Sequence, residues 1–281
     1  MEPQQEQIRE QQKQVWNKVS SGWEKWDDFI MEFLRPMGEA IIEKLEIKED
    51  DIVLDIAAGT GEPGLTIAGI AKNGKVIGTD LADEMLRLAD ASAVAKGLKN
   101  YSTKVADGCN LPFADHTFTK ISCRMGFMFF PDIQLAANEM YRVLKPGGRV
   151  AISVWSAPDK NFWSTAATSV VKKHIELPAA APDAPGMFRC SEPGLMTSVF
   201  AQAGFTNTGE QELTGKVDFI DGDTYWQNRI DLSESLRAML VGVDGTIISA
   251  IKKDVCTLIN ANSVNGRALL DYGTIMIYGE K

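Results

Sequence analysis

The chain has 281 residues, 44% of them hydrophobic, enough for one large core domain carrying insertions. Its 29 Lys and Arg against 38 Asp and Glu leave a net charge of −9, a surface that repels nucleic-acid phosphates and anionic membranes alike. The four cysteines, at 109, 123, 190 and 256, show no C-x-x-C spacing. They suggest neither a metal site nor a disulfide framework, and they point to a reducing, cytoplasmic compartment.

The amino terminus MEPQQEQIREQQKQ is polar, with no apolar run behind a basic region, so no signal peptide is expected and residues 1 to about 12 are expected to be disordered. No later stretch is long and apolar enough to insert in a bilayer. From Trp16 the positions Val19, Trp23, Trp26, Ile30, Phe33, Leu34 and Met37 recur at helical steps, with a break expected at Ser20-Ser21-Gly22. IVLDIA from Ile52 is a first strand running into glycines, and Pro63 stands where the first turn of the helix GLTIAGIA tolerates it. KVIGTD is a second strand. A helix over about 83–97 is opened by Asp83 and Glu84, whose charges suit its N-terminus.

STKVAD gives a third strand and FTKISCRM a fourth. Ile133 to Leu144 keeps its apolar residues on one helical face and stops at KPGG, where glycine can take a left-handed cap. RVAISVW is a fifth strand. Beyond Trp155 come a helix over about 160–175, the loop LPAAAPDAPGMF and a helix opened by Ser191 and closed before Gly204. The strand TGEQELTGKVDF, a helical stretch over about 221–262 and the strand GRALLDYGTIMIYGEK complete the chain.

Strands alternating with crossover helices predict an α/β fold. The expected architecture is a doubly wound, mostly parallel seven-stranded sheet with an antiparallel edge hairpin and a helical cap. It divides into a helical lid (1–46), a ligand-binding core (47–156), cap insertions around the sixth strand (157–264) and a final edge strand (265–281).

The first strand ends in VLDIAAGTGEPGL, which contains G-x-G-x-x-G. Such a turn lets backbone N–H groups and a helix N-terminus approach a ligand. NAD would bring a doubly anionic pyrophosphate, which the Asp55 carboxylate repels. At about 4–6 Å that costs of order 1 kcal/mol in water and several at an effective dielectric of 20. S-adenosylmethionine (AdoMet) brings an ammonium and a sulfonium, which a carboxylate attracts. Asp80 ends the second strand and Asp107 follows the third. An acid at the second strand end can accept from ribose hydroxyls in either cofactor, and one at the third from an adenine amino group. Ligands sit beyond the carboxyl ends of strands, so the three acids converge on one crevice. The competing reading is turn aspartates that cap local backbone.

With VIGTDLADEML, ADGCNLPFADHTF and NEMYRVLKPGGRV added, the chain resembles the class I AdoMet-dependent methyltransferases over roughly residues 50–155. Within them it is similar to the small-molecule branch that includes the ubiquinone/menaquinone C-methyltransferases. The resemblance implies that Asp55, Ala57, Gly59 and Gly61 line the methionine end of AdoMet, with Cys123 and Arg124 beneath it. It places the ribose at Asp80 and Leu81 and the adenine at Asp107 and Gly108, with Thr60 and Met85 also in the cofactor-binding set. The chain departs from the pattern at Thr119, at Ala82 where a serine is usual, and in MGFMFFPD after the fourth strand. The last departure weighs against the quinone enzymes' own substrate.

Methyl transfer to oxygen or to a carbon acid also needs a base within reach. Of the two histidines, His116 falls in a connecting turn, while His174 in KKHIEL is either a catalytic base or an exposed helix residue. Asp27 and Asp28 are further candidates, against capping or solvent exposure. Trp16, Trp23 and Trp26 are either core anchors or, at Trp23, an aromatic closing over the cofactor. Met125, Phe127, Met128, Phe129 and Phe130 read as core, with one or two lining an apolar acceptor pocket. The sequence therefore points to AdoMet-dependent methylation of a small apolar or aromatic molecule at O, N or C, with no metal. The alternatives are an NAD- or NADP-dependent oxidoreductase and a catalytically silent AdoMet-binding protein acting through partners.

Overall fold

The computed structural model describes residues 3–177 and 184–281, so the loop LPAAAPDAPGMF falls partly outside them. Two helices, α1 (Pro3–Lys25) and α2 (Asp27–Leu45), precede an alternation of β1 (Ile52–Ile56), α3 (Gly64–Ile70), β2 (Lys75–Asp80), α4 (Asp83–Ala95) and β3 (Tyr101–Val105). There follow β4 (Phe118–Arg124), α5 (Ile133–Val143), β5 (Leu144–Trp155), α6 (Phe162–His174) and α7 (Leu195–Ala203). The chain closes with β6 (Thr206–Asp218), α8 (Gly222–Leu232), α9 (Glu234–Leu240), α10 (Gly245–Ala261) and β7 (Leu269–Glu280).

The strands form one seven-stranded sheet in the order β3-β2-β1-β4-β5-β7-β6. Pairing is parallel from β3 to β5 and antiparallel at β5–β7 and β7–β6. This is the doubly wound sheet with an antiparallel edge hairpin that the alternation predicts. Val53, Leu54, Asp55 and Ile56 of β1 are all buried, as a central parallel strand covered on both faces requires. The edge strand β6 is mostly exposed and carries Glu210, Glu212 and Lys216, charges that discourage further strand addition. No helix among the described residues is long and apolar enough to cross a membrane.

Several local expectations are corrected. Residues 3–12 are helical rather than disordered, because α1 lies along α4 and α8. Nor does it break at Ser20-Ser21-Gly22. A Cβ on Gly22 would fall 2.4 Å from the Asp231 carbonyl oxygen, so the glycine admits the α8 backbone. The two N-terminal helices part at Trp26 instead. The lid expected over 1–46 also divides there. Ile30, Phe33, Leu34, Met37, Ile41 and Leu45 of α2 are buried, and α2 packs on β4, β5 and β7 as a layer of the core.

The KPGG glycines do not cap α5, which ends at Val143. They lie in β5, where Gly147 (φ 76°) donates its N–H to the Lys281 carbonyl at 2.7 Å. Ser191 does not open α7. The left-handed Gly194 does, and Glu210 of β6 accepts from its N–H and from that of Thr197. The helical stretch over 221–262 is three helices, each with its own side-chain cap from Asp221, Ser233 or Asp244.

Candidate active site

Beyond the carboxyl ends of β1, β2 and β4 lies a cavity of about 810 Å³, open to solvent. The floor is the turn after β1. Ala57 (φ 54°), Gly59 (φ 55°) and Gly61 (φ 112°) take the left-handed region, and the Gly61 N–H closes the turn on the Ala58 carbonyl at 2.8 Å. A Cβ at Gly61 would lie 2.7 Å from Leu65 Cδ1, so only glycine lets α3 start this close.

Asp80 braces this turn. Its Oδ2 accepts from the Gly59 N–H at 3.0 Å and its Oδ1 from the Ala82 N–H at 2.9 Å. Burial raises its pKa, and the backbone donors only partly offset that. A carboxylate has about four acceptor sites, so acceptor capacity remains for a ligand.

Asp55 behaves differently from the sequence expectation. It is fully buried and does not line the cavity. Its Oδ1 accepts from Ser122 Oγ at 2.7 Å and its Oδ2 from the Gly64 N–H at 3.1 Å, so it ties β1 to β4 and to the start of α3. Burial pushes its pKa up to about 7, against the Ser122 bond and the nearby Arg124 charge. The expectation that a fixed Asp55 charge meets the ligand directly is therefore corrected, because the carboxyl is buried between β1, β4 and α3, away from the cavity wall. The wall cation is Arg124, whose Nη1 reaches the Leu34 carbonyl at 3.5 Å and which makes no ion pair with the described residues. Burial lowers its pKa while Asp55 and Glu62 raise it.

The wall also holds orphaned polar atoms. Trp23 Nε1 and Thr60 Oγ1 are buried without a hydrogen-bond partner, and both residues line the cavity. Asp107 stands behind the wall, its Oδ1 on the Cys109 N–H at 2.8 Å and its Oδ2 buried and unpartnered. Each such group costs about 1–3 kcal/mol unless a ligand or water completes it. The roof comes from α1. Trp16 packs edge-on against Trp23 (6.0 Å between ring centres) and against Phe129 (5.2 Å).

Of the residues singled out in the sequence, Trp16, Trp23, Ala57, Gly59, Thr60, Asp80, Leu81, Met85, Gly108, Arg124, Met125, Phe129 and Phe130 line the cavity, while Phe127 and Met128 do not. Asp55, Gly61, Asp107 and Cys123 do not; they shape its turns from behind. His174 is not brought to it. Its Nε2 is 2.9 Å from Asp254 Oδ2 on α10, and the helix that carries it is anchored by its other face. His116 is exposed in its turn, with Nδ1 beside the Leu144 carbonyl, and Asp27 and Asp28 are exposed in the first turn of α2. Sequence reasoning missed Gln12, Leu34, Glu62 and Gly126 as wall residues. Gly126 carried a signal. A Cβ there would fall 2.3 Å from Ala57 Cβ, so the glycine after β4 is what lets the two strand ends meet.

A model of the ubiE/COQ5 methyltransferase family matches residues 4–179. The chain belongs to the ubiE/COQ5 methyltransferase family. A demethylmenaquinone methyltransferase of Thermus thermophilus is 39% identical over 108 residues, 38% of this chain and 49% of that protein. An uncharacterised protein of Mycobacterium bovis is 37% identical over 136 residues, 48% of each. The chain thus spans about half the length of the curated relatives it matches. The YcgJ protein of Bacillus subtilis superimposes with a TM-score of 0.59 over 87% of this chain and 97% of that one; at 20% identity this is a likeness of fold. The family match ends before α7, so α8 and α10 of the cap lie outside it.

Proposed function

We propose that the protein is an AdoMet-dependent methyltransferase acting on a small apolar or aromatic acceptor. The observation that carries this reading is the composition of the cavity wall. A braced glycine turn, an acid with spare acceptor capacity, an unpaired guanidinium and orphaned polar atoms converge under a roof of indoles. AdoMet fits that set. Arg124 would take its carboxylate and Asp80 its ribose hydroxyls, with the adenine towards Gly108, while the faces of Trp16 and Trp23 suit a cationic sulfonium. A pyrophosphate would need further cations, and Arg124 is the only Lys or Arg lining this cavity among the described residues.

When bound, AdoMet supplies an electrophilic methyl group. The chain's own part is to hold donor and acceptor in line and to keep water out, which can account for a large share of the rate. Among the described residues no histidine lines the cavity. Glu62 is engaged by Thr66 and by Lys96 at 2.7 Å, and Asp80 by two backbone donors. Positioning therefore carries more of the reaction than proton transfer by the wall.

Incubation with methyl-labelled AdoMet and a low-molecular-weight metabolite extract tests the reading. Label should move to an organic-soluble product. Tight AdoMet binding with no label transfer from any extract would favour the silent binding protein.

A further inference from the structure

The stretch MGFMFFPD after β4, where the chain departs from the family pattern, is a junction in the structure. Phe127–Phe129 form a single 3₁₀ turn, after which Phe130 is extended (φ −68°, ψ 144°). Phe129 packs on the roof, 5.2 Å from the Trp16 ring of α1. Phe130 packs on the end of the third strand, where a Cβ on Gly108 would lie 2.9 Å from its Cζ. Both rings line the cavity. Asp132 closes the stretch at the N-cap of α5. Its carboxylate accepts from Gln5 Nε2 of α1 at 3.2 Å, and its carbonyl accepts from the Cys109 thiol at 3.3 Å.

The same segment is held from the cap. The Gly186 N–H donates to the Met128 carbonyl at 3.2 Å. The Arg189 guanidinium donates through Nη1 to the Phe130 carbonyl and through Nη2 to the Pro131 carbonyl, the latter at 3.4 Å. Gly186 and Arg189 lie between α6 and α7, beyond the residues that the family model matches, and neither lines the cavity. One 3₁₀ turn has hydrogen bonds of poor geometry, so its position depends on outside contacts. Carbonyls on two successive residues suit the planar fork of a guanidinium, which a point-like ammonium cannot replace in full.

We propose that Arg189 is a positioning residue for the cavity: its fork fixes the backbone at Phe130 and Pro131, and through it the two rings that close the cavity against α1 and Gly108. The cap thereby sets cofactor affinity from a residue that does not touch the cofactor. A shift of the Phe130 carbonyl moves the ring on Gly108 directly and the Phe129–Trp16 contact one residue away. AdoMet enters as the ligand through the methyltransferase reading; the bracing of the two rings does not depend on it.

A double-mutant cycle on the full chain provides the test, with AdoMet affinity read by calorimetry. Exposure of Trp16 is read in parallel by acrylamide quenching, as the difference from Trp16→Phe. Arg189→Met should weaken AdoMet binding about fivefold or more, and Phe130→Leu should weaken it by a similar factor. Because the arginine acts through the ring, the double variant should lose clearly less than the product of the two factors. Arg189→Lys, which can serve one carbonyl, should restore part of the loss, and Trp16 should be quenched more readily in Arg189→Met. Native affinity in Arg189→Met, or factors that simply multiply in the double variant, would overturn the role, whatever happens to the melting temperature. Should the methionine variant fail to fold, Arg189→Lys takes its place in the cycle, and its smaller loss must likewise shrink beside Phe130→Leu. If the native protein binds no AdoMet, the methyltransferase reading falls and quenching alone decides: equal protection of Trp16 with and without the arginine would overturn the bracing.

Discussion

Asp80 and Asp55 show how alike two acids can look in a sequence and how differently they act. Both end a strand beside the glycine turn, yet Asp80 lines the cavity and Asp55 faces inward to Ser122 and Gly64. Asp80→Ala removes the brace on Gly59 together with the acceptor for the ribose. It should weaken AdoMet binding by about 1.5–3 kcal/mol in a calorimetric titration. An unchanged affinity would place the ribose elsewhere. Asp55 makes a prediction about pH. Its folded pKa of about 7 lies above the unfolded value, so the native state holds a proton that the unfolded chain releases above about pH 4. Stability contributed by that proton is present at low pH, declines as pH rises towards 7, and then levels off. Asp80 and Asp107 shift in the same direction, so Asp55→Asn should reduce this slope rather than abolish it. Chemical denaturation between pH 4 and 8 measures it. A slope unaltered by the substitution would mean that Asp55 titrates normally.

At the scale of elements, α1 is attached by polar contacts from Asn17, Lys18 and Lys25 and by the indoles of Trp16 and Trp23. Ala82, at the N-cap of α4, has no capping side chain. The cap comes from α1 instead, where Asn17 Oδ1 accepts from the Glu84 N–H at 3.1 Å and Nδ2 donates to Asp83 at 3.0 Å. Asn17→Ala should therefore lower stability by about 0.5–2 kcal/mol, the range for a lost helix cap. Thermal melts of the two proteins check this, and equal melting temperatures would make the cap redundant. Removing residues 1–25 is the stronger intervention. Since α2 keeps its buried face on the sheet, the truncated protein should stay folded, while AdoMet affinity falls roughly tenfold or more with the loss of Trp16 and Trp23. An unfolded product would make α1 part of the core. Normal affinity would end the idea of a roof.

The sequence was most legible where the sheet is buried on both faces. IVLDI and KVIGTD coincide with β1 and β2 because nothing but apolar runs and strand-end acids fits there. The glycine turn was legible too, since its left-handed residues and close helix start leave little choice at Gly61. The Gln-rich start of α1 was not. Its helix is stabilised by lying on α4 and α8, a tertiary cause that no local period records. His174 stood out as one of two histidines, yet its neighbour in space is Asp254 rather than the cavity, and sequence distance could not reveal that. The family match agrees with the methyltransferase class expected from the strand-end motifs, and it ends before α7. Everything argued for the whole molecule turns on which nucleotide the cavity prefers. Calorimetric titration of the full chain with AdoMet and, separately, with NAD is the most direct measurement. The account predicts one AdoMet per chain, bound far more tightly than NAD; an affinity for NAD equal to or above that for AdoMet would contradict it.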